Sequence, residues 1–181
     1  MDIPAKARAV IIGGGVVGCS IAYHLGKLGW TDVVLLERKQ LTCGTTWHAA
    51  GLIAQLRATQ NMTRLAKYSQ ELYFGLEEET GVATGFKRNG SITVALTDER
   101  MEELRRSAAM ARAFGVEIDE ISPSDIRSRY PGLTVDDAVG GVWLPKDGQA
   151  DPVNITQALA QGARNYGAKI IQGIKVTDIH Q

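Results

Sequence analysis

The sequence carries no excess of charge: 20 Lys and Arg stand against 20 Asp and Glu, a formal net charge of zero. A nucleic-acid surface wants a basic stripe, so no nucleic-acid partner is expected. No apolar run approaches the roughly 18 residues that a membrane helix needs, so no membrane partner is expected either. Cysteine is scarce. Cys19 and Cys43 are the two present, too few for a disulfide framework and without metal-ligand spacing. No metal is expected, and a reducing cytosol is the expected compartment. The first residues run almost at once into a strand pattern, so no signal or transit peptide is expected. With 44% hydrophobic and 22% charged residues, the composition is that of an ordinary globular fold. The length of 181 residues allows one domain, or a domain plus part of another.

The first forty residues are the most informative. Residues 9–12 form a short, largely β-branched run, suited to a buried parallel strand. Gly13, Gly15 and Gly18 then supply G-x-G-x-x-G. Gly13 permits the tight turn, Gly15 lets backbone approach a pyrophosphate, and Gly18 lets a helix pack close to the strand. A helix is predicted over 16–27, with Val17, Ile21, Leu25 and Leu28 at helical spacing. Its N-terminus offers free N–H groups and positive dipole to a diphosphate. A second strand follows over 32–36 and ends at Glu37, 19 positions after Gly18, where a carboxylate can take ribose hydroxyls. Glycines, strands, helix and terminal acid together predict a Rossmann-like dinucleotide site. Glu37 disfavours a 2′-phosphate and hence NADP.

An NAD dehydrogenase would continue with another helix and strand. This chain instead gives TCGTTWHAAGL over 42–52. Gly44, Ala49, Ala50 and Gly51 are very small and Thr45 and Thr46 bear hydroxyls. Such a segment lets backbone lie against a bulky extended ligand, which suits the diphosphate and flavin end of FAD.

The run from Ile11 through TTWHAAG at 45–51 resembles the opening of the glycine/D-amino-acid oxidase superfamily of FAD enzymes, most closely its dimethylglycine dehydrogenase and sarcosine dehydrogenase branch. The likeness continues in LEEETG at 76–81, NGSI at 89–92 and PKDGQADP at 145–152, and so covers nearly the whole chain. The resemblance implies that His48 carries FAD through the flavin 8α-methyl carbon, with Trp47 shielding the ring. It implies further FAD contacts from Val16 and Val17 at the phosphates, Glu37 and Arg38 at the adenosine, residues Gly44 to Leu52 along the flavin, and Val176 at the adenine. It also implies a much longer enzyme. Catalytic residues are accordingly expected outside this chain, and tetrahydrofolate only where a folate domain follows.

Downstream, an apolar stripe of Met62, Leu65, Ala66, Leu72, Tyr73 and Leu76 predicts a core-facing helix over 61–80. A strand over 91–96 precedes a helix over 98–114 capped by Thr97, whose Glu102, Glu103, Arg105 and Arg106 form a solvated face. Strands are predicted over 116–121 and 141–144, with a short helix from Ser122-Pro123 between them. A helix from Asp151-Pro152 to about 166 leads to strands over 169–172 and 175–179. The fold class is therefore α/β. Residues 1–52 and 151–181 make an incomplete FAD-binding domain with a parallel sheet, its third strand entering at 168–171. Residues 53–150 form an inserted mixed α/β segment of a substrate domain.

The implied reaction is oxidative demethylation of a small secondary or tertiary amine, sarcosine- or dimethylglycine-like, with hydride passing from the N-methyl carbon to flavin N5. The electron acceptor is left open. The alternative is a non-catalytic regulatory or interaction subunit that keeps the flavin fold; His48 argues against it.

Overall fold

The structure is a computed structural model and describes residues 3–180. These residues divide into two compact units. The first comprises residues up to Gly51 together with Leu72–Phe86 and Ala150 onward; the second comprises Leu52–Glu71 and Lys87–Gln149. Residues 72–86, expected with the inserted segment, thus belong to the first unit.

The first unit begins with β1 (Ala9–Ile12), α1 (Val16–Lys27) and β2 (Val33–Glu37). It closes with α5 (Pro152–Asn165) and β8 (Lys169–Gln172). The three strands form a parallel sheet in the order β1-β2-β8, with Ala9 opposite Val33 and Val34 opposite Lys169. The expected third parallel strand is therefore present. The predicted strand over 175–179 is absent. Gly173 turns the chain at φ +77, and Ile174 N–H then reaches the carbonyl of Glu37, the last residue of β2. Beyond that point β2 offers no further edge to pair with.

The apolar spacing on α1 marks its exposed side. Val17, Ile21 and Leu28 are exposed, while Cys19, Ala22, Tyr23 and Gly26 are buried. The reason is close packing on α5. A Cβ at Gly26 would stand 2.5 Å from Tyr166 Cβ, so the position that receives Tyr166 has to be a glycine. Tyr23 Oη donates to both carboxylate oxygens of Glu79 at 2.9 and 2.7 Å, and Tyr166 Oη donates to one of them at 2.9 Å. Glu79 lies near the C-terminal end of α2 (Gln60–Thr80).

In the second unit, β4 (Ser91–Ala95) and β5 (Asp119–Ile121) flank β6 (Gly140–Leu144) in an antiparallel sheet. α3 (Asp98–Ala113) covers one face with Met101, Leu104, Ala108 and Ala111. α4 (Pro123–Arg129) covers the other with Ile126. Thr97 caps α3 by accepting from Arg100 N–H, and Ser122 and Asp125 form a capping box on α4. The strand expected from 116 begins only at Asp119. Asp119 pairs with Trp143, and two positions farther the partner would be Pro145, which has no N–H to give.

Sequence spacing did not indicate the two-residue antiparallel pair of β3 (Leu52–Ile53) with β7 (Gly148–Gln149). The expected core stripe on α2 holds at Leu76, but Met62 and Leu65 are exposed and Thr63 and Gln70 are fully buried. Gln70 is satisfied: its Oε1 accepts from Gln55 Nε2 at 2.6 Å and its amide donates to the Lys146 carbonyl. Buried Asp147 accepts from Gln55 N–H at 2.9 Å and from Ser91 Oγ at 2.7 Å.

Candidate cofactor site

The glycine loop between β1 and α1 leaves no room for a side chain at Gly14 or Gly18, while Gly13 is set by its backbone angle. Gly13 sits at φ +108, in the region that favours glycine, and its N–H donates to the Leu36 carbonyl at 2.9 Å. A Cβ on Gly18 would strike the Gly13 carbonyl, so a side chain there would push helix and strand apart. Gly15 caps α1 in an extended conformation and contributes no side chain. Thr46 takes over that task from the later segment: its Oγ1 accepts the Val16 N–H at 3.1 Å. The first-turn N–H groups beyond Val16 have no intrahelical partners.

Glu37 closes the loop from the other side. It is 7% exposed. One carboxylate oxygen accepts Gly14 N–H at 2.7 Å and the other accepts Lys39 N–H at 2.8 Å. The Cys43 thiol lies 3.8 Å from the latter oxygen. Burial pushes the carboxyl up, but the two backbone N–H groups, the Cys43 thiol and the Arg38 charge outweigh it and hold Glu37 below the usual carboxylate range. A carboxylate offers about four acceptor positions. Three are engaged, so one remains for a ligand hydroxyl.

A cleft of about 270 Å³ opens beside this clamp. Gly13, Glu37, Arg38 and Val176 all line it, so four residues singled out from the sequence share one space. Lys175 and Ile174 line it as well and were not singled out. No sequence signal marks them: they lie there because Ile174 N–H bonds the Glu37 carbonyl at 2.9 Å.

The segment over 42–51 leads away from the loop through Thr42, a β-branched residue at φ +71. Such a conformation is rare for this residue type. It is held by the bond from Thr42 N–H to the Gly14 carbonyl at 3.0 Å. Thr46–His48 then makes a single 3-10 turn. Thr46 is buried, while Thr45, Ala49 and Ala50 are exposed. The rings of Trp47 and His48 lie 3.8 Å apart between centroids at 34°. Both residues are exposed, so the pair presents an imidazole backed by an indole. Gly51, at φ +75, lies so close to the Ala150 carbonyl that a Cβ would overlap it. Gly44 has open space around it. Leu52 is exposed and opens the second unit.

The fit to FAD can be tested on these contacts. A nucleotide diphosphate needs a side-chain-free loop at a helix N-terminus, and Gly13, Gly15 and Gly18 make one. An adenosine needs a carboxylate with a spare acceptor beside an apolar wall, which Glu37 and Val176 provide. The residues present fit the group.

Residues 8–181 match the family described as FAD dependent oxidoreductase. The chain is 42% identical to human mitochondrial sarcosine dehydrogenase, over 98% of this chain and 19% of that protein. It is 44% identical to rat mitochondrial dimethylglycine dehydrogenase, over 96% of this chain and 20% of that protein. It is also 38% identical to the mitochondrial pyruvate dehydrogenase phosphatase regulatory subunit of Mus musculus, over 98% of this chain and 20% of that protein. Among solved structures, L-proline dehydrogenase from P.horikoshii superposes with a TM-score of 0.90 at 32% identity, covering 97% of this chain and 46% of that one. The chain thus spans about a fifth of the length of these curated relatives.

Proposed function

The chain belongs to the FAD dependent oxidoreductase family, and from that premise we propose that it is the N-terminal part of an enzyme that oxidatively demethylates a small secondary or tertiary amine of the sarcosine or dimethylglycine kind. The relatives bearing those names support the choice of substrate class. Bound FAD supplies the oxidation, accepting a hydride from the N-methyl carbon. The resulting substrate iminium takes up water and releases the methyl carbon as an aldehyde.

The residues of this chain bind and orient. The N–H groups after Gly15 would receive the diphosphate, and Glu37 would accept a ribose hydroxyl with its remaining lone pair. Val176 walls the adenine. Arg38 contributes charge at the rim. The turn over 45–50 would lie along the flavin, and a His48 ring nitrogen would hold it through the 8α-methyl carbon, the displaced hydrogen leaving as a proton and its two electrons passing through the flavin to an external electron acceptor.

The single observation that carries the reading is the exposed His48 imidazole, stacked on Trp47 in a turn tied to the glycine loop by Thr42 N–H on the Gly14 carbonyl and to the start of α1 by Thr46 Oγ1 on Val16 N–H. The test uses the full-length protein. After acid precipitation, flavin should stay with the pellet, and His48→Ala should release it to the supernatant. Free flavin from the wild type would defeat the linkage but leave FAD binding intact. A panel of N-methyl amines with an artificial electron acceptor then reads the substrate class.

A second reading is favoured by the relative named as a regulatory subunit: a flavin-fold protein that turns nothing over. Bound flavin with no bleaching by any amine of the panel would select it.

A further inference from the structure

The second unit holds a cleft of its own. On the face of the sheet that α4 covers, Ile92 and Val94 alternate along β4, and Trp143 stands on β6 opposite Ile92. With Leu133 and Tyr130 they line an open space of about 330 Å³. That is the lower end of the range for small-molecule cavities, roughly 300–1,000 Å³. One aromatic ring or a short branched chain fits it.

Two features make this more than an apolar dent. The indole of Trp143 is fixed: Gly90, at φ +75, lies so close beneath it that a Cβ there would overlap the ring. The guanidinium of Arg129, at the end of α4, stands 4.8 Å from the centroid of the same ring. Stacking occupies the flat face of a guanidinium and leaves its N–H edge free, the edge that matches a carboxylate.

No acid of the described residues takes that edge. Asp125, one turn back on α4, feels the Arg129 charge but makes no ion pair with it, and its Oδ2 accepts from Ser122 N–H and Oγ. Asp136 is paired with Arg127 at 2.6 Å. Asn89 lines the same rim and adds an amide donor.

We propose that this cleft binds a small amphipathic carboxylate, its acid group on the N–H edge of Arg129 and its apolar body against Trp143, Ile92, Val94 and Leu133. The site is separate from the flavin reading and does not rest on it. Charge and size set the ligand class: a monocyclic aryl acid, or a branched acid of similar bulk. An alcohol of the same shape lacks the charge that the guanidinium selects.

The experiment uses the full-length holoprotein with phenylacetate as the probe, measured by equilibrium dialysis, and 2-phenylethanol as the uncharged control. One saturable phenylacetate site is expected, weakened about tenfold or more in Arg129→Met, as expected for loss of a hydrogen bond to a charged group. Phenylethanol should bind equally to both proteins. Unchanged flavin content and melting temperature show that the variant is folded. A measurement without any variant runs alongside: phenylacetate should protect Arg129 from phenylglyoxal, read by peptide mapping. The proposal is overturned if the wild type shows no saturable binding, as it would with another segment seated in the cleft. It is equally overturned by binding that Arg129→Met leaves unchanged, by binding that only perturbs flavin absorption, or by absent protection of Arg129.

Discussion

Tyr23 of α1 packs directly on Gly162 of α5: a Cβ at position 162 would stand 2.6 Å from Tyr23 Cδ2. The arrangement is reciprocal, because Gly26 of α1 receives Tyr166 from the end of α5. Each helix thus offers a glycine to the other's tyrosine, and both phenol hydroxyls donate to Glu79. α1 carries the N–H groups proposed for the diphosphate, so its seating on α5 sets where those groups point. Gly162→Ala should destabilise the first unit by about 1–3 kcal/mol, the range for overpacking a close contact. Gly75→Ala is the control: it lies on α2 with open space around it. Denaturant midpoints of the full-length variants, with flavin content alongside, check the contrast.

The sequence made the βαβ unit readable because each of its parts has a local cause. Gly13 needs a positive φ, Gly18 needs absent bulk, and Glu37 sits at the strand end where its carboxylate meets Gly14. The reading failed where the cause is remote. Val17, Ile21 and Leu28 have helical spacing, yet the buried face of α1 is chosen by the close contacts of Gly26 with Tyr166 and of Tyr23 with Gly162 on the facing helix. Residues 175–179 are rich enough in Ile and Val to read as a strand, but a strand exists only beside a partner edge, and β2 ends at Glu37. The sequence puts Thr46 among the expected cofactor contacts. Its bond to Val16 N–H, thirty positions away, has no sequence signature.

Glu37 links the glycine loop to pH. Its folded-state pKa is lowered from 4.5, so its ionised form stabilises the fold. That contribution is fully present above 4.5 and is lost as pH falls through the lower folded value. Glu37→Gln keeps the shape but cannot charge. The wild type should therefore be the more stable protein at neutral pH, and the difference should shrink as pH is lowered below 4.5. Denaturant midpoints at several pH values between neutral and about 3 test this. A gap that stays constant across that range would rule out the carboxylate as its source.

The Thr46 hydroxyl caps a helix from outside it. Removing a side-chain cap destabilises a helix start by about 1 kcal/mol, which is roughly fivefold in an opening equilibrium. Thr46→Val should therefore speed hydrogen exchange at the Val16 amide by about that factor, while Thr46→Ser should leave it near the wild-type rate. The amides in the middle of α5 serve as the internal reference, because they do not depend on this contact. If both variants exchange at the same rate, the hydroxyl is not what protects Val16.

The two thiols should separate cleanly. Cys19 is fully buried on α1, with its sulfur 3.8 Å from the Gly14 carbonyl. Burial pushes its thiol up to about 12; the Arg164 charge pulls the other way and the Glu37 charge adds to the rise. At pH 8 such a thiol is ionised in only about one molecule in ten thousand, and the thiolate is the reactive form. Cys43 is exposed, its sulfur at the edge of the Glu37 carboxylate. Iodoacetamide at pH 8 should therefore alkylate Cys43 in the native protein and spare Cys19 until denaturant is added, as read by peptide mass mapping. The adduct on Cys43 removes the thiol contact to Glu37 but leaves the bonds from Gly14 and Lys39 N–H. The glycine loop should consequently stay closed, and Cys19 should remain protected after Cys43 has reacted. Alkylation of Cys19 that follows directly on that of Cys43 would mean that the thiol, and not the two backbone bonds, holds Glu37 in place.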